Sequence, residues 1–232
     1  MANETCWTVV RSAAGGDATA RGVFAKTYLP VIRAYLGARW KGSAWREHTD
    51  DAIQDVFVDC FRDNGALGRL DPDRHNQFRT FLYGVVRNVA LRYEERGARD
   101  KMRQAASAFN PDEQAAGEAQ LSRVFDRAWA IALVKRAGDR QEKEATTRDA
   151  ADGGDDAIRR VKLLRERFGN GRPIRDIAKL WGEDAAILHR EYAKAREEFK
   201  EALKAEIRYH SPGGSVNVDK ECTLLLSLLS LE

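Results

Sequence analysis

Between Phe78 and Arg99 the chain reads FRTFLYGVVRNVALRYEERGAR, and no other stretch constrains the fold as much. Phe78, Leu82, Val85 or Val86, Val89 and Tyr93 recur at three- and four-residue steps, the stripe that a helix lays against a core. Arg79, Arg87, Asn88, Arg92, Arg96 and Arg99 lie largely off that stripe. The spacing therefore predicts one long helix with an apolar face and a cationic ridge. Such a ridge suits a polyanion with phosphates and base edges, because Arg presents a rigid fork of donors and Asn both donates and accepts. A solvated basic face is the plainer reading of the same residues, so the ridge has to be judged by its neighbours.

Helical periodicity extends over most of the 232 residues, while β-branched alternation bounded by turns is nearly absent. The expected fold is all-α, divided into two small helical domains. A first helix is predicted from about Ala20 to Trp40, with Phe24, Tyr28, Val31, Ile32, Tyr35 and Leu36 inward and a kink or early break at Pro30. A second runs from Asp50 or Asp51 to about Arg62, capped by Thr49 or Asp50, with Ile53, Val56, Phe57, Cys60 and Phe61 inward. Turn signals at Asn64-Gly65 and Leu70-Asp71-Pro72-Asp73 precede the basic helix, which should begin near Asn76. Asn110-Pro111 caps a further helix that continues through Phe125, Trp129 and Leu133. From Gly138 to Asp156 large apolar residues are scarce, which reads as a loosely packed connector.

The last third has a different rhythm. Ile158, Val161, Leu164 and Phe168 form one stripe, stopped by Gly169-Asn170-Gly171. Pro173 opens a short helix with Ile174, Ile177, Ala178 and Trp181 inward; Gly182 ends it, and Asp184 caps a longer helix with Leu188, Tyr192, Ala195, Phe199 and Leu203 inward. Helix, Gly-containing turn, helix is the pattern of a helix-turn-helix, although any helical hairpin reads similarly. His189, Arg190, Lys194 and Arg196 lie off the stripe, where a groove-reading helix needs its donors.

The formal charge of +3 is modest, so the argument rests on where charge sits rather than on its sum. Cys6, Cys60 and Cys222 are widely spaced, without CxxC or His at ligand spacing; they indicate neither a disulfide framework nor a zinc site. A reducing cytoplasm fits this usage. The N-terminal segment lacks the apolar run of a signal peptide, and Leu224–Leu231 is far short of the roughly 20 residues that span a bilayer.

The acidic segment TDDAIQDVFVDCFRD places Asp51, Asp55 and Asp59 at four-residue steps on one face, with Gln54 beside them. A solvated acidic surface is one reading. A magnesium and diphosphate site of the DDxxxD kind is a second, weakened by the absence of an opposing carboxylate motif or a Gly-rich phosphate cradle. A protein contact is the third, in which Asp and Gln meet a basic partner while Phe57 supplies apolar area.

This order of parts resembles an extracytoplasmic-function sigma factor, the compact class of bacterial transcription initiation subunit, of the planctomycete-like type with a long linker and a C-terminal tail. Asp51, Gln54, Asp55, Val56 and Phe57 match the family's D-x-x-Q-E-V-F. Leu70-Asp71-Pro72 matches its F-D-P, Phe78 to Tyr83 its F-R-x-W-L-Y, and Arg87 to Leu91 its R-N-x-A-L. The resemblance divides the chain into region 2 at 1–103, a linker with an extra helix at 104–157, region 4 at 158–208 and a tail at 209–232.

For the first domain it implies docking on the clamp helices of the RNA polymerase β′ subunit through Asp51, Gln54, Asp55 and Phe57. It also implies capture of flipped minus-ten bases by Arg74, Asn76, Phe78, Arg79, Arg87, Asn88, Arg92 and Arg96. The loop from Leu70 to Gln77, with Arg74, His75 and Asn76, is the natural place for the base pocket. For the second domain the resemblance implies minus-thirty-five contacts from His189, Arg190 and Lys194, next to the polymerase β flap.

Such a protein has no catalytic residue, cofactor or metal, works in the cytoplasm without a membrane, and takes core polymerase, promoter DNA and, in many cases, an anti-sigma factor as partners. The chain departs from the pattern at Glu191, Glu197 and Glu198, which stand among positions that are often basic, and at Arg92, where many relatives carry Asp. The tail reads as a short helix packed on the second domain, or as a cover for a polymerase- or DNA-binding face. The alternative for the whole chain is a stand-alone helix-turn-helix regulator.

Overall fold

In a computed structural model of the chain, the described residues are 6–63, 65–69, 78–102, 111–211 and 216–229, without the side chains of 97–102 and 111–116. Leu70 to Gln77, the loop expected to hold the base pocket, lies outside them and takes Arg74, His75 and Asn76 with it. The described chain is all-α, with no strand among these residues. It forms two compact units, Met1–Ala132 with Arg208–Glu232, and Leu133–Ile207.

The first unit contains α1 (Cys6–Ala14), α2 (Ala18–Arg39), a 3-10 turn (Ala44–His48), α3 (Thr49–Phe61) and α4 (Phe78–Met102). The early part of α5 (Pro111–Asp152) and the tail helix α9 (Val218–Leu229) belong to it as well. Its core is aromatic. Phe78 is fully buried and sits edge-on to Trp7 of α1 and Phe24 of α2, near Tyr28 of α2 and Trp129 of α5. Below it on α4, Leu82, Val86, Val89 and Ala90 are fully buried, so the periodicity located the inward face.

Three local expectations are corrected. Helix α2 runs unbroken through Pro30, whose ring faces solvent; the lost hydrogen bond, about 3 kcal/mol in a helix interior, is offset by the row of fully or nearly fully buried side chains from Phe24 to Leu36. Helix α3 is preceded by His48 with no side-chain cap, because the Thr49 hydroxyl donates instead to the Arg46 carbonyl inside the 3-10 turn. Helix α1 went unpredicted, although Trp7 and Val10 are among the buried side chains. At the other end of α3, Gly65 allows a tight return. A Cβ there would lie 2.6 Å from the Asp59 carbonyl oxygen, a clash with backbone.

The second unit is built from the later part of α5, α6 (Asp156–Phe168), α7 (Ile174–Trp181) and most of α8 (Ala185–His210). The segment from Gly138, read as a loose connector, is helical as far as Asp152. Small residues and ion pairs replace the missing large apolar ones. Ala145 packs with Ala157, Val161 and Ile158, and Gln141 donates to the Ala195 carbonyl at 3.1 Å. Asp149 accepts from the backbone amides of Ala157 and Ile158 at 2.9 and 2.7 Å, tying α5 to the start of α6.

The main cluster joins Leu163, Ile174, Ile177, Ala178 and Leu188, with Trp181 and Tyr192 against it. Leu163 therefore takes the inward place expected for Phe168, which is 67% exposed. The tail helix, expected on this domain, belongs to the first unit.

Candidate nucleic-acid interface

Helices α3 and α4 lie against each other, and their polar residues meet in pairs. Asp59 of α3 accepts from Arg92 of α4. One turn earlier, Asp55 accepts from the Tyr93 hydroxyl at 2.9 Å. Burial, the Asp55 hydrogen bond and its negative charge push the Tyr93 phenol up to about 12. Of the residues read as a protein-docking face, Asp51 and Gln54 are exposed and Asp55 is partly covered by its bond to Tyr93. Phe57 turns inward, stacked on Phe61 and edge-on to Phe24. The apolar area on that face comes from Val58, which is 57% exposed and follows Asp51, Gln54 and Asp55 at helical spacing. Val58 escaped the sequence reading because a lone Val inside an acidic helix looks like core.

Along the α4 ridge, Asn88 and Arg96 are exposed, Arg96 lying over the Tyr93 ring. Arg79 is only 20% exposed, between Asp126 of α5 at 3.6 Å and Glu221 of α9 at 3.7 Å. Its Nη1 is buried without a hydrogen-bond partner. Burial raises the Asp126 pKa, and the Arg79 charge partly opposes the shift. Phe78 is wholly inside, so in this conformation it seats the ridge and touches no solvent.

Arg87, 39% exposed, donates from Nε to Glu118 of α5 at 3.0 Å. The same carboxylate accepts from Arg39 Nη1 at 2.6 Å and from the Tyr83 hydroxyl at 3.3 Å. Burial works against ionisation of Glu118, but the hydrogen bonds from Arg39 and Arg87 prevail and hold its pKa below the ordinary value. Arg39, almost fully covered, also grips Glu94 with two parallel hydrogen bonds of 2.7 and 2.9 Å. Burial would lower the Arg39 pKa; its bonds to Glu94 and Glu118 raise it instead. Neither Glu118 nor Arg39 stood out in the sequence, since their pairing spans 79 residues.

In the second unit, Gly182 adopts φ 68°, the left-handed conformation in which Gly ends a helix without strain. Asp184 then accepts from the backbone amide of Ala186 at 2.6 Å and caps α8 as read from sequence. His189, Arg190 and Lys194 are exposed along α8, with Lys194 held to Glu191 at 2.9 Å. That hydrogen bond, followed by those from Arg160, keeps the Glu191 pKa low despite partial burial. The acidic residues that broke the expected basic pattern are largely consumed inside the unit. Arg160 of α6 pairs with Glu191 and Glu198, and Arg148 of α5 also reaches Glu198 at 2.9 Å.

Asp55 and Asp59 are engaged by α4, and among the described residues no group of three His, Cys, Asp or Glu side chains could hold a metal ion. Nor is any described helix long and apolar enough to cross a membrane. Comparison with curated proteins and with solved structures finds no match. Residues 24–100, which run from within α2 through α3 into α4 and so contain both the acidic face and the basic ridge, match the family model of Sigma-70 region 2.

Proposed function

We propose that the chain is a sigma factor of the extracytoplasmic-function class that recruits core RNA polymerase to promoters and starts transcription, with no catalytic residue of its own. The observation that carries this reading is the family match over residues 24–100 together with the two faces that those residues form. Asp51, Gln54 and Asp55 meet the β′ clamp, with Val58 supplying apolar area and Phe57 supporting the helix from inside. Asn88, Arg87, Arg92 and Arg96 receive the unpaired strand of the minus-ten element, together with Arg74 and Asn76 from the preceding loop. Phe78 and Arg79 fix the start of the ridge.

Opening a duplex costs stacking and pairing energy, recovered in part when flipped bases find pockets and phosphates find cations. The second unit acts as region 4 beside the β flap, presenting His189, Arg190 and Lys194 to upstream duplex. Its exposed turn and capped α8 support that role. The protein works in the cytoplasm, and an anti-sigma factor that covers the α3 face is a natural regulator.

Pull-down with core polymerase, followed by run-off transcription on genomic fragments, tests the reading. Specific transcripts that depend on the protein are the expected result. Tight, specific binding of duplex DNA by the free protein, without polymerase capture, would instead establish a stand-alone helix-turn-helix regulator.

A further inference from the structure

We infer that Glu118 is a built-in competitor for nucleic-acid phosphate: its carboxylate occupies Arg87 on the α4 ridge, and a strand engages that Arg only when the start of α5 lifts away. The inference rests on reading α4 as a nucleic-acid face.

The argument begins with the charge count. Arg39, Arg87, Glu94 and Glu118 form a closed group of two cations and two anions, linked at 2.6 to 3.0 Å. A carboxylate on a guanidinium offers the same paired oxygen acceptors as a phosphate, so while Glu118 is in place Arg87 has little attraction left for a strand. When Glu118 leaves, Arg39 is not stranded in the interior, because Glu94 still holds it with two hydrogen bonds. One positive charge is released, and it sits at Arg87 beside the exposed Asn88.

The rest of α5 in this unit stays anchored. Phe125 packs edge-on to Tyr35 and Tyr83, while Trp129 stacks on Tyr28. Glu118 lies two helical turns before Phe125, where the neighbouring Ala119 and Gln120 are exposed. Local release of that turn breaks ion pairs that water can replace, and leaves the aromatic core closed. The device thus makes the ridge weakly attractive to stray polyanions and available to a strand already held nearby.

The test measures binding of a fluorescein-labelled, mixed-sequence 20-nucleotide single strand by anisotropy across a salt series. It uses the full-length protein, E118Q and the double variant E118Q/R87A. Gln keeps the size and acceptor oxygen of Glu118 while removing its charge, so the fold is retained. E118Q should bind about tenfold more tightly than the native chain, as expected when an occluded state about ten times more populated than the open one is relieved. Its salt dependence should steepen by about 0.7 in the logarithmic slope, one added phosphate contact on a single strand. R87A in the E118Q background should remove both gains.

A second measurement uses the native chain: amide hydrogen exchange over residues 117–121 should accelerate when the strand is added. E118Q binding no more tightly than the native chain, a gain that survives R87A, or exchange that stays constant or slows would each overturn the inference. Failure of the sigma-factor reading is separable. A chain that captures polymerase but gains nothing from E118Q loses only the competitor, whereas a chain whose E118Q gains strand affinity without capturing polymerase loses only the polymerase role.

Discussion

The Tyr93 hydroxyl donates to the Asp55 carboxylate at 2.9 Å, and the adjacent Arg92 pairs with Asp59 one turn along, so two consecutive residues of α4 hold two carboxylates of α3. The acidic and basic helices are thereby registered to each other by polar bonds as well as by packing. Tyr93→Phe removes one of these bonds and leaves the ring in place. Because Asp55 is partly exposed and can regain water, the expected cost is about 1 kcal/mol, read from urea denaturation. Polymerase capture should be nearly unchanged, since the exposed Asp51 and Gln54 are untouched.

Charge reversal at those exposed positions gives the complementary result. The double variant Asp51→Arg with Gln54→Arg makes no change to the α3 to α4 bonds, so its melting temperature should stay within a few degrees of the native value. Core polymerase capture should fall at least tenfold, equivalent to about 1.4 kcal/mol or more, while single-strand binding by the free protein persists. Equal capture by the double variant would remove α3 from the polymerase interface.

The paired change on the ridge is Arg87→Ala with Asn88→Ala. Open-complex formation, followed by permanganate reactivity of unpaired thymines, should be lost, and polymerase capture should remain. Loss of both together would show that this part of α4 supports the polymerase contact or the fold rather than the strand.

Alkaline pH should destabilise the first unit over a defined window. Burial drives the Tyr35 phenol and the Cys60 thiol up to about 12, and burial with the Asp55 hydrogen bond does the same for Tyr93. For each group the folded pKa exceeds the ordinary 10.0 of Tyr or 9.0 of Cys, so the folded state keeps protons that the unfolded chain has lost. Stability is full below about pH 9 and declines as pH climbs towards 12. Thermal melting between pH 8 and 11.5 should show this decline, and Tyr35→Phe should make it shallower.

Acid acts on the second unit through Glu206, whose side chain is 3% exposed and accepts from Arg136 at 2.7 Å and Arg140 at 2.8 Å. Burial opposes its ionisation, but the two Arg partners win and lower its pKa from 4.5. Its contribution is therefore present above about pH 4.5 and is lost as pH falls through the lower folded value. Glu206→Ala at neutral pH leaves two partly exposed cations without this partner and should cost about 2–3 kcal/mol, with weaker acid dependence between pH 5 and 3 in the variant.

What could be read beforehand was whatever local spacing encodes. The stripe from Phe78 to Val89, the Gly182 turn and the Asp184 cap all follow from short-range rules of period and backbone conformation. What escaped depends on partners distant in sequence. A charge-rich segment such as Gly138–Asp152 looks loose until Arg148, Arg140 and Glu142 are seen to meet Glu198, Glu206 and Arg165. Phe168 and Leu163 both fit an amphipathic α6, and only the placement of α7 and α8 selects Leu163. Glu118 has no local signature, because its meaning lies in Arg39 and Arg87, and the cationic ridge consequently looked more open from sequence than it is.

The double grip of Arg148 and Arg160 on Glu198 has an evolutionary consequence. Along α8, a mutation towards a more basic surface is the simplest route to stronger attraction for duplex phosphates, yet at Glu198 that route passes through loss of the bundle's own ties. Glu197 is 73% exposed, with Lys200 at 4.0 Å as its weak ion-pair neighbour. Divergence in duplex affinity between descendants of this chain should therefore accumulate at Glu197 and spare Glu198, which separates the helix surface into a lane free to drift and a lane held fixed by folding.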